Sequence, residues 1–388
     1  MPRPRPIRAL VRDRALRFTD GNHIELYTTG RDGLHAMLAA IERAERRIHL
    51  ETYILRADQI GSEFLASLTE RARDGVEVRL LYDAFGSFGL EESALEPLRA
   101  AGGEAVAFNP LTRLWPRFVP RRRDHRKILV VDGQVAFMGG LNIGDEYVSG
   151  LGRSAPGEAW RDAHVRVEGP GVRDLEAVFL ESWFRADGPA LPWSALLERQ
   201  PAPVGKVRCA VLADGPTYRR RRSRDLLLFA LATAEREVRV VSPYFAPGRR
   251  VLEALGAASA RGVRVSLLLA GDRTDHPSLM YATRAVLPRL LARGVRIFEY
   301  DAAMMHAKLA CFDTDWCAVG TSNLDRQSFE HNYEVNLVVE DAELAKRASA
   351  VFDADAACAR EVSLESLGRR SFFERIRDAF WAIVLRWV

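Results

Sequence analysis

The pattern H-x-K-x4-D occurs twice in this chain, and the two copies are in register. His125-Arg-Lys127-Ile-Leu-Val-Val-Asp132 is answered 181 positions later by His306-Ala-Lys308-Leu-Ala-Cys-Phe-Asp313. The same offset carries Gly139 onto Gly320 and Asn142 onto Asn323. One match to so short a pattern has little weight. Two in register, each trailed by Gly and Asn at equal distances, point to an internal duplication. Of 56 Lys and Arg residues only Lys127, Lys206, Lys308 and Lys346 are lysines, and half of these sit in the two motifs. A compact ammonium is not interchangeable with a planar guanidinium, so the pair does not read as ordinary solvated surface lysines.

Short strands and helices alternate around each motif. In the first half the hydrophobic patterning predicts strands at 48–55, 76–83, 105–108 and 128–131, with helices at 34–46, 64–73 and 95–101. Strands at 237–244, 261–268 and 294–298 repeat the series. In this alignment Tyr244 answers Tyr53 and Gly294 answers Gly103. The pattern predicts an α/β fold of two halves, each with a mixed, mainly parallel sheet, related by a pseudo-twofold axis. The expected division is 1–195, 196–368 and an amphipathic C-terminal helix over 369–388. A proline-rich linker at 188–204 joins the halves, and an Arg/Pro-rich arm occupies residues 1–20.

Composition narrows the partners. The chain of 388 residues is 48% hydrophobic and 28% charged, with net charge +4, which suits an anionic partner, nucleic acid or an acidic membrane surface. Its four cysteines lack C-x-x-C spacing and suggest neither a disulfide framework nor a zinc site; a reducing compartment is the default expectation. No apolar h-region follows Met1-Pro-Arg-Pro-Arg-Pro, and no run of 18 apolar residues occurs, so any membrane contact is expected to be peripheral.

Two imidazoles and two ammoniums converging on one point suit a phosphodiester. The lysines can neutralise non-bridging oxygens. One imidazole can attack phosphorus to give a phosphohistidine, while the other protonates the leaving alkoxide and then deprotonates the incoming alcohol or water. No carboxylate or cysteine cluster has metal-ligand spacing, and the route needs no metal or other cofactor. Asp132 and Asp313 complete the candidate catalytic motifs, yet each follows a buried strand, where fixing a turn is the better-supported role. Asn142 and Asn323 read equally as turn residues or as groups near the phosphoryl oxygens.

The chain resembles the phospholipase D superfamily and, within it, the bacterial cardiolipin synthases. The resemblance rests on both H-x-K-x4-D blocks, on Gly320-Thr-Ser-Asn323 through Asn332-Tyr-Glu334, and on Gly139-Gly140-Leu-Asn142. It rests also on Trp160-Arg161-Asp162-Ala-His164, Glu51-Thr52-Tyr53-Ile54, Ser242-Pro243-Tyr244-Phe245 and Asp275-His276-Pro277. It implies that Glu334 and Asp162 orient the two imidazoles, that Asn142 and Asn323 help hold phosphoryl oxygens, and that His125 is the nucleophile with His306 as acid/base. It implies a phosphatidyltransferase using phosphatidylglycerol as donor and a second phospholipid as acceptor. The expected location is peripheral, on the cytoplasmic side of the cell membrane. The alternatives are a phospholipase D or a nucleic-acid phosphodiesterase, and, in another class, a non-catalytic binding module. Both intact His–Lys pairs argue against the last. Many cardiolipin synthases begin with transmembrane helices, and this chain departs from them there. The aromatic and aliphatic residues of 369–388, interleaved with arginines, fit either an interfacial membrane helix or a helix docked on the core. The basic run Tyr218–Arg224 reads as a solvated face or as an attractor of anionic headgroups.

Overall fold

The computed structural model describes residues 16–110, 122–148, 159–190, 200–217 and 221–384. Residues 1–15 of the expected arm, parts of the loop before His125 and of the linker, 218–220 of the basic run, and 385–388 lie outside them. The first half runs β1 (Thr19–Thr29), α1 (Gly30–Glu42), β2 (Arg47–Thr52), α2 (Gln59–Arg73), β3 (Glu77–Asp83), α3 (Glu96–Ala100), β4 (Glu104–Phe108), β5 (Ile128–Val131), β6 (Val135–Gly139), β7 (Arg161–Glu168) and α4 (Gly171–Arg185). The second runs β8 (Val207–Asp214), α5 (Arg222–Thr233), β9 (Glu237–Ser242), β10 (Phe245–Ala246), α6 (Arg249–Ala260), β11 (Arg264–Ala270), α7 (Pro277–Leu291), β12 (Arg296–Tyr300), β13 (Leu309–Phe312), β14 (Trp316–Gly320), β15 (Leu324–Asp325), α8 (Arg326–Glu330), β16 (Glu334–Glu340) and α9 (Ala342–Ala357). Then come β17 (Arg360–Glu361), α10 (Leu364–Gly368) and α11 (Phe372–Val384).

Local chemistry explains the elements around the site. β2 and β5 are buried at every position, as expected of strands covered on both faces. The first two helices start at side chains that take up a free backbone amide: Thr29 accepts from Asp32 and Asp58 from Gly61. Ile60, Phe64, Leu68 and Ala72 then put one apolar stripe of α2 against the sheet.

The strand order of the large sheet is a palindrome. Outward from the central β8–β1 neighbours, β16, β14, β13, β9, β11 and β12 answer β7, β6, β5, β2, β3 and β4. The halves are therefore related by a pseudo-twofold. Their shared core mixes both sheets, with Ile128, Met138, Val165 and Val172 packed among Leu309, Val319, Leu337 and Leu344. The sheet is mixed, as expected, but parallel pairing is confined to β2–β3–β4 and β9–β11–β12. The motif strands are antiparallel to their neighbours, because β5–β6 and β13–β14 are hairpins and need no helical crossover.

Two details of the duplication shift by one residue. β2 answers β9 at an offset of 190: the Thr52 hydroxyl donates to the Ile54 carbonyl just as the Ser242 hydroxyl donates to that of Tyr244. Tyr53 and Tyr244 are thus not equivalent positions. Gly294 answers Gly102, since both have positive φ, 83° and 92°. β1 begins at Thr19, inside the expected Arg/Pro-rich arm of residues 1–20. Its Asp20-Gly21-Asn22 reads locally as a turn, yet Asn22 is fully buried and donates to Thr19 and Val207 carbonyls.

Asp132 and Asp313 staple this framework together. Each has positive φ and accepts three backbone amides: Asp132 from Glu45, Arg46 and Arg47 at 2.9, 2.7 and 2.9 Å, Asp313 from Glu235, Arg236 and Glu237 at 2.9, 2.7 and 3.0 Å. Replacing Asp313 by Ala strands three donors at the start of β9. We expect a loss of about 3 kcal/mol in urea unfolding, at the upper end for bonds to a charged acceptor, with a smaller loss for Asp313→Asn.

Candidate active site

Both histidines precede a motif strand, and each is tied by backbone to the opposite half. His125 N donates to Tyr333 O at 2.9 Å and Tyr333 N to Arg123 O at 2.8 Å. Reciprocally, His306 N donates to Arg161 O at 2.7 Å and Arg161 N to Met304 O at 2.8 Å. The next residue along each partner segment is the carboxylate. Glu334 Oε2 lies 3.0 Å from His125 Nδ1, and Asp162 Oδ2 lies 2.7 Å from His306 Nδ1. A carboxylate at Nδ1 fixes that nitrogen as the proton carrier and leaves Nε2 with its lone pair.

The carboxylates are themselves held. Glu334 accepts from the Thr321 hydroxyl and, at 3.2 Å, from Asn332 Nδ2. Asp162 accepts from the amide of Ala163. Gly140 makes room for it: a Cβ there would meet Asp162 Oδ1 at 1.9 Å. Lys127 Nζ donates to His125 O at 2.7 Å, and Lys308 Nζ donates to His306 O and lies 2.9 Å from His306 Nδ1. Tyr53 meets the His125 ring edge-on at 4.9 Å; Trp160 and Tyr147 flank His306 at 5.3 and 5.8 Å.

All four motif side chains are buried. Burial lowers the His125 pKa to about 4, with Glu334 opposing and Lys127 assisting. Burial and Lys308 lower that of His306, against Asp162. Burial lowers Lys127 to about 7, opposed by Glu334 and assisted by Lys308; it lowers Lys308 to about 8, opposed by Asp162 and Glu334. Burial raises both carboxylates, but Lys308 and His306 more than offset it for Asp162, as His125 and Thr321 do for Glu334. Each lysine senses both carboxylates, so the two half-sites adjoin across the paired segments. At neutral pH the geometry offers two neutral imidazoles with free Nε2 atoms and two easily discharged ammoniums.

The remaining sequence candidates separate. Asp132 and Asp313 sit at the far ends of β5 and β13 from the histidines, as described above. Asn142 is committed to structure, accepting from Ile54 N at 3.1 Å and donating to Tyr147 OH at 2.7 Å. Asn323 differs, because its buried Oδ1 has no hydrogen-bond partner among the described residues. His164 is fully buried, with both ring nitrogens unpartnered among the described residues. Thr321, Asn332, Tyr147 and Arg126 escaped the sequence reading as site residues. Arg126, wholly buried between the motif His and Lys, donates to Ser182 Oγ at 2.8 Å and Asp214 O at 3.1 Å. Its place inside the motif was the available signal. Among the described residues no group of three His, Cys, Asp or Glu side chains is arranged to hold a metal ion.

Comparison with known proteins now bears on this cleft. The family model described as "Cardiolipin synthase, PLD-like domain" matches residues 37–152 and 227–356. The chain belongs to that family. A cardiolipin synthase of Geobacillus kaustophilus (strain HTA426) is 38% identical over 354 residues, 91% of this chain and 70% of the relative. Cardiolipin synthase 1 of Bacillus cereus is 34% identical over 372 residues, 94% of this chain and 72% of the relative. Among solved structures, a phosphatidylserine synthase of Haemophilus influenzae Rd KW20 matches with a TM-score of 0.74 over 98% of this chain and 97% of its own. At 13% identity it shows the fold alone. As a member of this family the chain is an enzyme, a phosphatidyltransferase of the phospholipase D superfamily.

Two outcomes test the electrostatics. Asp162→Asn and Glu334→Gln keep size but cannot hold the Nδ1–H tautomer, and each is expected to lower kcat about 10²- to 10⁴-fold. On a soluble short-chain phosphodiester, kcat/KM should be bell-shaped. It falls below about pH 4, where His125 gains its second proton, and on the alkaline side, first as the protonated form of His306, whose pKa is lowered, is lost and then above about pH 7 to 8, where Lys127 and Lys308 lose charge.

Proposed function

We propose that the enzyme transfers the phosphatidyl group of phosphatidylglycerol to the headgroup alcohol of a second phosphatidylglycerol, giving cardiolipin and glycerol. In the first step Nε2 of one histidine bonds to phosphorus as the P–O bond to glycerol breaks, and the departing oxygen takes a proton from the other imidazole, which enters the step in its protonated form, a minority at neutral pH because burial lowers its pKa. In the second, that imidazole takes the proton of the acceptor hydroxyl, whose oxygen bonds to phosphorus as the P–N bond breaks. Following the family resemblance, His125 is the nucleophile and His306 the acid/base. Lys127 and Lys308 neutralise the non-bridging oxygens. The observation that carries this reading is the reciprocal pairing of His125 with Glu334 and His306 with Asp162 across the halves.

The substrates lie in a bilayer, and we assign docking to α11. One side of this helix is seated on the core: Arg377 lies 3.7 Å over the Tyr281 ring of α7, and buried Asp378 holds Arg370. Phe372, Phe373, Ile376, Phe380 and Ile383 are exposed. An exposed aromatic and aliphatic face beside arginines suits the headgroup boundary of an anionic membrane. No described helix is long and apolar enough to cross a membrane. All four cysteines are free, which suits the cytoplasmic side.

His125→Ala and His306→Ala should each lower transfer by at least about 10³-fold with circular dichroism unchanged; near-normal transfer by both variants would sink the shared-cleft mechanism. Deleting 369–388 should weaken flotation with phosphatidylglycerol vesicles and lipid turnover together, while cleavage of a soluble substrate persists. Full flotation and full cardiolipin yield after deletion would leave α11 a purely structural helix.

A further inference from the structure

Arg123 precedes His125 by two residues in the extended segment paired with Tyr333. Side chains alternate along such a segment, so Arg123 and His125 share a side and their Cα atoms stand about 7 Å apart. Arg123 is only 6% exposed, yet neither Nη atom has a hydrogen-bond partner among the described residues. Asp83 Oδ1 is 3.8 Å from Nη1, too far for a hydrogen bond. Asp83 is also engaged, accepting from the amides of Asp124, Phe85 and Gly86. The half-exposed Phe85 ring roofs the guanidinium at 4.7 Å. A buried guanidinium with empty donors is costly, and its planar fork matches phosphate oxygens.

The position is also asymmetric. At the motif offset Arg123 is answered by Met304, and by the β3–β11 offset Asp83 is answered by Ala270. The reacting phosphoryl group is served by the duplicated His–Lys set, in which each half contributes alike. A cation present on one side only serves something else. Tyr53, edge-on to His125, senses the charges of both Arg123 and Asp275, the latter from the opposite half. The guanidinium therefore lies beside the His125 half-site, in the segment that pairs with the opposite half.

We propose that Arg123, with Tyr53 beside it and Phe85 above it, is the subsite for a second phosphate group, that of the phospholipid whose headgroup alcohol receives the phosphatidyl group. This rests on the transferase reading above. A lipid acceptor anchored by its own phosphate holds its hydroxyl in the cleft in place of water, so the subsite favours transfer over hydrolysis.

The experiment compares two acceptors with phosphatidylglycerol vesicles as donor: phosphatidylglycerol itself and free glycerol, which lacks a phosphate, using isotopically labelled forms to follow each product. Arg123→Gln should lower the ratio of kcat/KM for the lipid acceptor to that for glycerol about tenfold or more, the scale of a charged hydrogen bond. Arg123→Lys should restore part of it. In the wild-type enzyme, inorganic phosphate should compete with the lipid acceptor and not with glycerol; this arm needs no variant and separates free phosphate from a headgroup as occupant. An unchanged ratio in Arg123→Gln, or phosphate inhibiting both acceptors alike, would overturn the subsite. A wild-type enzyme that only releases phosphatidic acid would remove the transferase reading and the subsite with it.

Discussion

Each motif histidine is oriented by a carboxylate that belongs to the other half of the chain. Glu334 lies against His125 and Asp162 against His306, with both carboxylates withdrawn from solvent. Neither half can hold its own imidazole in the required tautomer. Separating the halves would strand two buried carboxylates and two buried lysines without their counter-charges, a loss of several kcal/mol per broken pair. The same exchange explains why the central strands are antiparallel neighbours around a pseudo-twofold: only then do the starts of β7 and β16 reach the opposite motif. Arg126 extends the tie, since its guanidinium reaches the Glu334 carbonyl and the Asp214 carbonyl from the first half.

The spacing H-x-K-x4-D acquires a physical meaning in this frame. The four residues before each Asp are one short buried strand, β5 or β13. Chemistry sits at the strand's entry, where His and Lys face the cleft. A backbone staple sits at its exit, where the Asp gathers three amides of the neighbouring strand's start. The motif thus ties the position of the catalytic pair to the register of β2 and β9. The halves share this frame but not their lining: Asn142 is bound into the wall while Asn323 Oδ1 has no hydrogen-bond partner among the described residues. Such differences break the symmetry of the scaffold, as the proposed transfer between two unlike substrates would require.

By itself the sequence determined the duplication, the α/β class and the two His–Lys pairs, which were legible because a repeated motif and continuous apolar strands leave local, periodic marks. Asp162 and Glu334 came forward only through the family resemblance. The sequence also marked the amphipathic character of α11, while leaving open whether its apolar face is exposed or docked. Tertiary structure alone decided what depends on contacts far apart in the chain. It showed that the imidazoles exchange carboxylates between halves, that β1 begins in a turn-like stretch held by Asn22, and that parallel pairing is limited to three strands per half. It also set the difference between Arg123 and the other arginines. In a chain this rich in arginine, composition cannot single out one guanidinium; burial with both Nη atoms lacking a hydrogen-bond partner among the described residues does, and burial is a property of the folded whole.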